Sequence, residues 1–203
     1  MISIIDYGMG NIRSVAKALE RLGHPAEILA TPPKDYRSEL TVLPGVGAFD
    51  HAVVELKQRG WWDVLKRIPE SDGKLLGMCL GLQLLFERSA EGSQEGLGLI
   101  EGDVIGFPDS IQSPHMGWNT AVPANNAWQE ILTPKGKDFY FVHSYFVRPK
   151  NSEVVAAHTE NVITFPSIVH SKNIIATQFH PEKSQENGLT LLNDILELLG
   201  VIS

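Results

Sequence analysis

Short apolar runs alternate with amphipathic stretches through residue 87. A helical apolar period, such as that of Ile12, Val15 and Leu19, separates runs of strand length. The predicted strands are Ile2–Ile5, Ala26–Leu29, Leu40–Leu43 and the apolar run after Lys74, and the predicted helices follow Asn11 or cover Ala48–Gln58 and Trp61–Ile68. Strand followed by helix, repeated, predicts a parallel sheet with helices on both faces.

The second half of the chain instead carries short β-type runs divided by turn residues. The predicted elements are a loop at Ala90–Gly98, strands at Leu99–Phe107, Trp118–Val122, Phe139–Val142, Val154–Ala157 and Ile174–Phe179, and a helix at Leu189–Leu199. The runs between Pro114 and Pro166 predict an antiparallel layer, or a hairpin-rich flank, of the same domain. We therefore expect an α/β fold that forms a single domain over residues 1–203, since this length suits one hydrophobic core.

Composition and charge exclude several classes of function. The net charge of −7 and the pI near 5.5 argue against general nucleic-acid binding, because phosphate binding needs a basic face. The first residues lack the basic flank of a signal peptide, and apolar stretches meet a charge before the roughly 18 residues that a membrane span needs. A single cysteine without an export signal favours a reducing cytosol, so we expect a cytoplasmic protein.

The stretch around Cys79 has the layout of a nucleophile elbow, a tight strand-to-helix turn that lifts one side chain above a sheet. Gly77 and Gly81 flank the cysteine in a Gly-x-Cys-x-Gly pattern, and a leucine-rich run suited to a buried helix follows. At a helix N-terminus, unpaired N–H groups favour thiolate over thiol. Most lone cysteines are small buried hydrophobes, but the paired glycines favour a nucleophile here.

A thiolate nucleophile works with an imidazole that holds its proton and a third group that orients the imidazole. The chain has seven histidines. Of these, His143 and His180 end apolar runs, where an α/β sheet presents functional side chains. Glu182 follows His180 by two residues, within reach of its far ring nitrogen. The residues alone leave both histidines open.

Two glycine turns are further candidate sites. Gly45-Val46-Gly47 follows a predicted strand, so its N–H groups and that of Leu80 are candidates for binding an oxyanion, although a simple tight turn explains the pattern nearly as well. Gly8-Met9-Gly10 is a weak dinucleotide signal, because Arg13 stands where that fingerprint has its third glycine. No Walker loop and no zinc spacing is present in the sequence.

Together these motifs resemble those of the class I glutamine amidotransferase family, whose glutaminase domains use a Cys–His–Glu triad. The resemblance covers nearly the whole chain and departs at no motif position. Within the family, the chain is most similar to the branch that serves histidine biosynthesis. The stretches that carry the resemblance are Asp6–Asn11, Pro44–Phe49, Gly77–Gln83, Pro114–Asn119, Phe141–Tyr145 and Gln178–Ser184.

The resemblance implies a three-layer fold with a mostly parallel central sheet, and a role for each motif residue. Cys79 would be the nucleophile toward L-glutamine, His180 the base and Glu182 its orienting group. The implied oxyanion residues are Gly45, Val46, Gly47 and Leu80, and the implied glutamine pocket is Gly47, Gln83, Glu91, His143, Ser144 and Tyr145. No metal and no cofactor is implied.

The resemblance also implies a partner, a (β/α)₈-barrel synthase that receives ammonia from the glutaminase. Candidate interface positions are Asn11, Arg13, Met116, Trp118, Asn119 and Lys183, although Trp118 alone fits a core position equally well. Three alternatives stand beside this reading: a glutaminase that feeds a different synthase, a partner-binding subunit with a vestigial triad and, more remotely, a nucleotide-binding module.

Overall fold

The computed structural model describes residues 1–108, 110–111, 113–132 and 137–202. Residues 133–136 of the predicted β-rich stretch, and residue 203 of the predicted domain, lie outside this part. The helices are α1 Ile12–Arg21, α2 Phe49–Gln58, α3 Trp61–Arg67, α4 Leu80–Leu84, α5 Asn126–Leu132 and α6 Gln185–Leu198. The strands are β1 Ile2–Ile5, β2 Ala26–Leu29, β3 Leu40–Leu43, β4 Leu75–Met78, β5 Arg88–Ser89, β6 Gly102–Gly106, β7 His115–Pro123, β8 Lys137–His143, β9 Tyr145–Pro149, β10 Val155–Asn161, β11 Ile163–Ser171 and β12 Ile174–Thr177.

The first half of the chain builds the parallel part of the main sheet. In the order β2-β1-β3-β4-β12, each strand runs parallel to its neighbour. The predicted α/β architecture is therefore confirmed, and β1, β2 and β3 have the predicted bounds. Fully buried strands such as Leu40–Leu43 read as continuous apolar runs because both faces of a parallel sheet are covered.

The antiparallel flank predicted for the second half of the chain is confirmed, and its strands continue the main sheet. Within the described residues they extend the same nine-stranded sheet, in the order β12-β11-β10-β7-β8. The nine-residue strand β11 was missed because Pro166, which has no N–H to donate, interrupts its apolar pattern. A small second sheet, β5-β6-β9, was also not predicted, and β6 begins at Gly102 rather than at Leu99.

Two hydrophobic cores cover the faces of the main sheet. One packs α1, α5 and α6 against one face, and includes Leu19, Trp128 and Leu192. The other packs α2, α3, α4 and the small sheet against the opposite face, and includes Phe49 and Trp61. This layering buries both sheet faces and leaves the strand ends free to carry polar side chains. Within the described residues, no helix combines the length and the apolar character that crossing a bilayer requires.

Glycine makes the turn from β4 to α4 possible. A Cβ atom on Gly81 would lie 1.9 Å from the carbonyl oxygen of Leu43, in the neighbouring strand. A Cβ atom on Gly77 would lie 3.0 Å from the backbone carbonyl group of Gly81. The helix therefore begins almost in contact with two strands, which only residues without a side chain permit.

This contact predicts the effect of one added methyl group. We expect Gly81→Ala to lower the free energy of unfolding by about 3 kcal/mol, because the rigid Leu43 carbonyl must move to admit the Cβ atom. Urea unfolding measures the change. Gly106→Ala is the matched control, since the nearest atom to its Cβ would be 3.5 Å away. Equal stabilities of the two variants would contradict the proposed close approach.

Candidate active site

Cys79 lies at the apex of the turn between β4 and α4, with its side chain 6 % exposed. Its backbone has φ 53° and ψ −107°, a region that residues other than glycine rarely adopt. Its N–H donates to the carbonyl of Thr177 at 2.7 Å, which ties the elbow to the end of β12. The helix that follows is short, five residues, but its first turn closes on the Cys79 carbonyl through the N–H groups of Leu82 and Gln83.

His180 and Glu182 form a buried pair just beyond the end of β12. The Nδ1 atom of His180 lies 2.9 Å from Oε1 of Glu182, and both side chains are at most 3 % exposed. Burial by itself would lower the pKa of His180, but hydrogen bonding and charge attraction from Cys79 and Glu182 outweigh it and raise the pKa to about 10. Within the described residues the Nε2 atom has no partner at ordinary hydrogen-bond distance, and Cys79 is the group on its side of the ring with which it can exchange a proton.

A cavity of about 330 Å³ opens beside the sulfur. Its walls include all six residues predicted for the substrate pocket: Gly47, Gln83, Glu91, His143, Ser144 and Tyr145. Val46, Cys79, Leu80 and Val142 complete the lining, and Val142 was predicted only as part of the stretch Phe141–Tyr145 and not as a pocket residue. The volume suits a small polar metabolite better than a dinucleotide.

A pair of carboxylates braces one wall of this cavity. Glu91 accepts a hydrogen bond from the N–H of Phe49 at 2.9 Å, at the first residue of α2. In return, Asp50 in the same helix accepts hydrogen bonds from the N–H groups of Ser93 and Gln94. These bonds lower the pKa of Asp50 and hold the loop against the helix. One oxygen of Glu91 is thus engaged structurally, and the other is left for the cavity.

The predicted oxyanion donor Leu80 is occupied in this structure. Its N–H donates to the carbonyl oxygen of Gly45 at 3.3 Å. In this conformation the N–H that would bind an oxyanion is therefore already bonded to a backbone carbonyl. The role of Leu80 and of Gly45–Gly47 in binding an oxyanion stays a prediction. Gly47 has φ +99°, a conformation open to glycine, which leaves the segment Gly45–Gly47 able to change its peptide orientation.

His143 does not have the geometry of a base. Its Nδ1 lies 2.9 Å from the carbonyl oxygen of Tyr145, and its Nε2 lies 3.1 Å from Nδ1 of His115. Because burial lowers the pKa of His143 to about 3, the ring is neutral and both nitrogens are engaged. His115, which buries its ring on β7 beside His143, was quoted in the sequence only as part of a motif. No sequence spacing links these two histidines, because strand pairing between β7 and β8 brings them together.

The interface candidates differ in what their side chains do. Arg13, Met116, Trp118 and Lys183 are exposed, and Asn11 and Asn119 are half-buried. Trp118 is 50 % exposed and contacts the ring of Tyr140 edge-to-face, so a core role for it is wrong. Asn119 faces the other side of β7, where its Nδ2 donates to the carbonyl of Glu160 at 2.9 Å and lies 3.3 Å from Nε2 of His115. The amide of Asn119 is thus engaged within the chain, and its place at an interface stays a prediction.

Metal ions in proteins are held mainly by His, Cys, Asp and Glu side chains. Among the residues that the structure describes, no group of three or more His, Cys, Asp or Glu side chains is arranged to hold a metal ion. The weak dinucleotide turn at Gly8 instead bonds its N–H to the Asp6 carboxylate at 3.0 Å.

Known proteins resemble this chain in sequence and in fold. Residues 3–198 match the family described as "Glutamine amidotransferase class-I". A relative from Moorella thermoacetica is 46 % identical over 98 % of this chain and 95 % of its own length, and one from Rhodopirellula baltica is 48 % identical over 95 % of each chain. Both carry the name "Imidazole glycerol phosphate synthase subunit HisH".

Solved structures show the same fold at lower sequence identity. One, titled "Crystal structure of glutamine amidotransferase", superposes with a TM-score of 0.78 at 22 % identity and covers 98 % of each chain. Another, titled "Structure of PurLQS from Thermotoga maritima", has a TM-score of 0.72 at 20 % identity, with the same coverage. These two likenesses concern the fold alone.

The His180–Glu182 pair predicts a pH-dependent contribution to stability. Because the folded pKa of His180 lies above its unfolded value, the contribution is fully present below about pH 6.5 and is lost as the pH rises through about 10. We expect Glu182→Gln to be less stable than the unsubstituted protein at pH 6.5, with the difference shrinking toward pH 10. Urea unfolding at several pH values measures this.

The matched control is Glu186→Gln, which removes one exposed carboxylate that is paired with Arg21 on the surface. Its difference from the unsubstituted protein should be small and should not shrink over the same range. A pH-independent deficit for Glu182→Gln would contradict the raised pKa of His180.

Proposed function

The chain belongs to the class I glutamine amidotransferase family, and we propose that it hydrolyses L-glutamine as the glutaminase subunit of an imidazole glycerol phosphate synthase. The observation that carries this proposal is the buried Cys79 at a strained elbow, beside the His180–Glu182 pair and open to a 330 Å³ cavity. Relatives that share 46–48 % of their residues over nearly the full length bear the name of that synthase subunit.

The proposed reaction runs in two halves. In the first, the Cys79 sulfur bonds to the side-chain amide carbon of glutamine, and His180 gives a proton to the nitrogen as the carbon–nitrogen bond breaks. Ammonia leaves, and a glutamyl thioester stays on Cys79. In the second half, His180 takes a proton from water, the water oxygen bonds to the same carbon, and the carbon–sulfur bond breaks. Glutamate is released, and the thiolate returns.

Glu182 has a positioning role in this proposal. Its carboxylate accepts from Nδ1–H of His180, which leaves Nε2 to exchange the proton on the side of the sulfur. A buried carboxylate also stabilises the imidazolium, which is present before His180 gives its proton to the nitrogen and again after it takes one from water. The free oxygen of Glu91 is the candidate partner for the substrate ammonium group.

The occupied Leu80 N–H bears on regulation. A good oxyanion donor contributes about 3–4 kcal/mol to a comparable hydrolysis, so a conformation that blocks it is a slow one. We infer that the Gly45–Gly47 segment reorients when the partner holds its own substrate, which frees the Leu80 N–H and aims a second one at the oxyanion. Glutaminase activity would then be coupled to demand for ammonia.

The partner in this proposal is a (β/α)₈-barrel cyclase that uses the ammonia to make imidazole glycerol phosphate and an aminoimidazole carboxamide ribonucleotide. The exposed side chains of Met116 and Trp118 lie on one face of β7, and the turn Pro181–Lys183 packs against α1 and β8. An exposed tryptophan beside a methionine is a common interface anchor. Tyr140 connects this face to His180, because its ring contacts Trp118 and its carbonyl accepts a hydrogen bond from the His180 N–H at 2.9 Å.

The central test measures glutamate release from glutamine with and without a barrel cyclase and its nucleotide ligand. We expect the ligand-loaded complex to be much faster than the isolated subunit, and Cys79→Ser or His180→Asn to lose at least about a thousandfold in kcat. His158→Asn, on strand β10 outside the cavity, is the control and should keep its activity. Full activity in Cys79→Ser would favour a vestigial triad, and no stimulation by the cyclase would favour a different synthase.

The face around Trp118 supplies a separate prediction. We expect Trp118→Ser to weaken binding of the barrel cyclase by about 30-fold or more. The exposed half of the Trp118 side chain would be buried only against the partner, and serine cannot supply that apolar contact area. Titration calorimetry measures the affinity. Ile28→Ser, an exposed position on the edge strand β2, is the control and should bind normally. Equal affinities for both variants would place the interface elsewhere.

A further inference from the structure

A buried amide lies beside the sulfur of Cys79. The side chain of Gln178, at the end of β12, is completely buried, and its Nε2 lies 3.9 Å from the Cys79 sulfur. Its backbone N–H is anchored to the carbonyl of Ser167 at 2.9 Å, in the neighbouring strand β11. Catalytic hydrogen bonds are often long in unliganded enzymes and tighten as charge develops. Gln178 is therefore placed to donate a hydrogen bond to the Cys79 sulfur when that sulfur carries a negative charge.

The orientation of this amide follows from a single backbone carbonyl. The carbonyl oxygen of Tyr145 can only accept, so the Gln83 atom 2.9 Å away from it must be the NH₂ group. The same NH₂ group lies 3.4 Å from the side chain of Gln178, whose nearer atom must then be the oxygen. This leaves the NH₂ group of Gln178 facing the sulfur. Gln83 thus fixes which end of Gln178 meets Cys79.

A carbonyl on the other side of the sulfur has the opposite effect. The backbone oxygen of Val142 lies 3.8 Å from the sulfur, where it accepts a hydrogen bond from the thiol but repels the thiolate. A neutral N–H donor offsets that repulsion without adding a charge to the cavity. The N–H of Leu80 cannot do so in this conformation, since it is bonded to Gly45.

We propose that Gln178 is a further catalytic residue, whose N–H stabilises the Cys79 thiolate, and that Gln83 is the positioning residue that holds this amide in the donating orientation. The proposal rests on the proposed function in one respect: Cys79 is taken to be the nucleophile. Glutamine has no charge to compete with His180, so it tunes the sulfur without disturbing the proton transfers. In the sequence analysis, Gln178 appears only as the first residue of the stretch Gln178–Ser184, with no function predicted for it.

Several other groups also influence the sulfur, and the experiment must hold them constant. The titratable side chains that face Cys79 or share its cavity are Tyr7 from the turn after β1, Glu91 from the loop before β6, His143 from β8, Tyr145 from β9, and His180 with Glu182 from the turn after β12. None of them contacts the Gln178 amide by a hydrogen bond in the described residues, so replacing Gln178 leaves them in place.

Alkylation by iodoacetamide measures thiolate formation directly, because Cys79 is the one cysteine of the chain. We expect the pH midpoint of the alkylation rate to rise by about one unit in Gln178→Met, and the rate below the midpoint to fall about tenfold, as a hydrogen bond to a charged group is lost. Gln83→Met should raise the midpoint too, and the double variant should go no further than Gln178→Met.

Thr177→Val is the matched control, since it removes a buried hydrogen bond to the Phe179 carbonyl in the same segment without touching the sulfur. Its midpoint should equal that of the unsubstituted protein. An unchanged midpoint in folded Gln178→Met overturns the proposal. If that variant does not fold, Gln83→Met decides, and an unchanged midpoint there overturns it. The assay needs neither glutamine nor a partner, so it remains informative if the chain proves to have no glutaminase activity.

Discussion

The near contact between the start of α4 and the strand β3 is the constraint on which the rest of the site depends. Because Gly81 approaches the Leu43 carbonyl with no room for a Cβ atom, the chain must turn within one residue, and that residue is Cys79. The positive φ at Cys79 is the local cost of the turn, and the surrounding hydrogen bonds and core maintain it. A looser turn would let the sulfur swing away from the imidazole.

The register of the sheet then sets which residues meet the sulfur. Strand β12 lies directly beside β4, with Thr177 paired to Met78, so the residues after β12 emerge next to those after β4. Gln178 and His180 reach Cys79 for this reason, although they are about a hundred positions away in sequence. A shift of one residue in this pairing would send these side chains to the opposite face. Strand β12, which is last along the chain but lies in the middle of the sheet, is thus as much a part of the site as the turn at Cys79.

Sequence reasoning succeeded where the interactions are local. The strands β1 to β3, the glycine-flanked turn at Cys79 and the neighbouring positions of His180 and Glu182 all follow from patterns of a few residues. It failed where strand pairing decides. The pairing of β7 with β8 joins His115 to His143, and no spacing in the chain reports this. Gln178 was overlooked for the same reason, since an amide carries no signal until its neighbours are known.

The polar groups around the sulfur divide into those that are fixed and one that is not. Cys79, His180, Glu182 and Gln178 are held by the sheet ends and by bonds to one another, so their geometry needs little reorganisation during a reaction. The Gly45–Gly47 segment is held more weakly, through a 3.3 Å bond that occupies the very donor an oxyanion would use. A site with a fixed nucleophile and an adjustable oxyanion donor can hold its sulfur in position while its turnover stays low. Control over such a site needs only a small movement of one peptide group, and the glycine conformation at Gly47 makes that movement inexpensive in free energy.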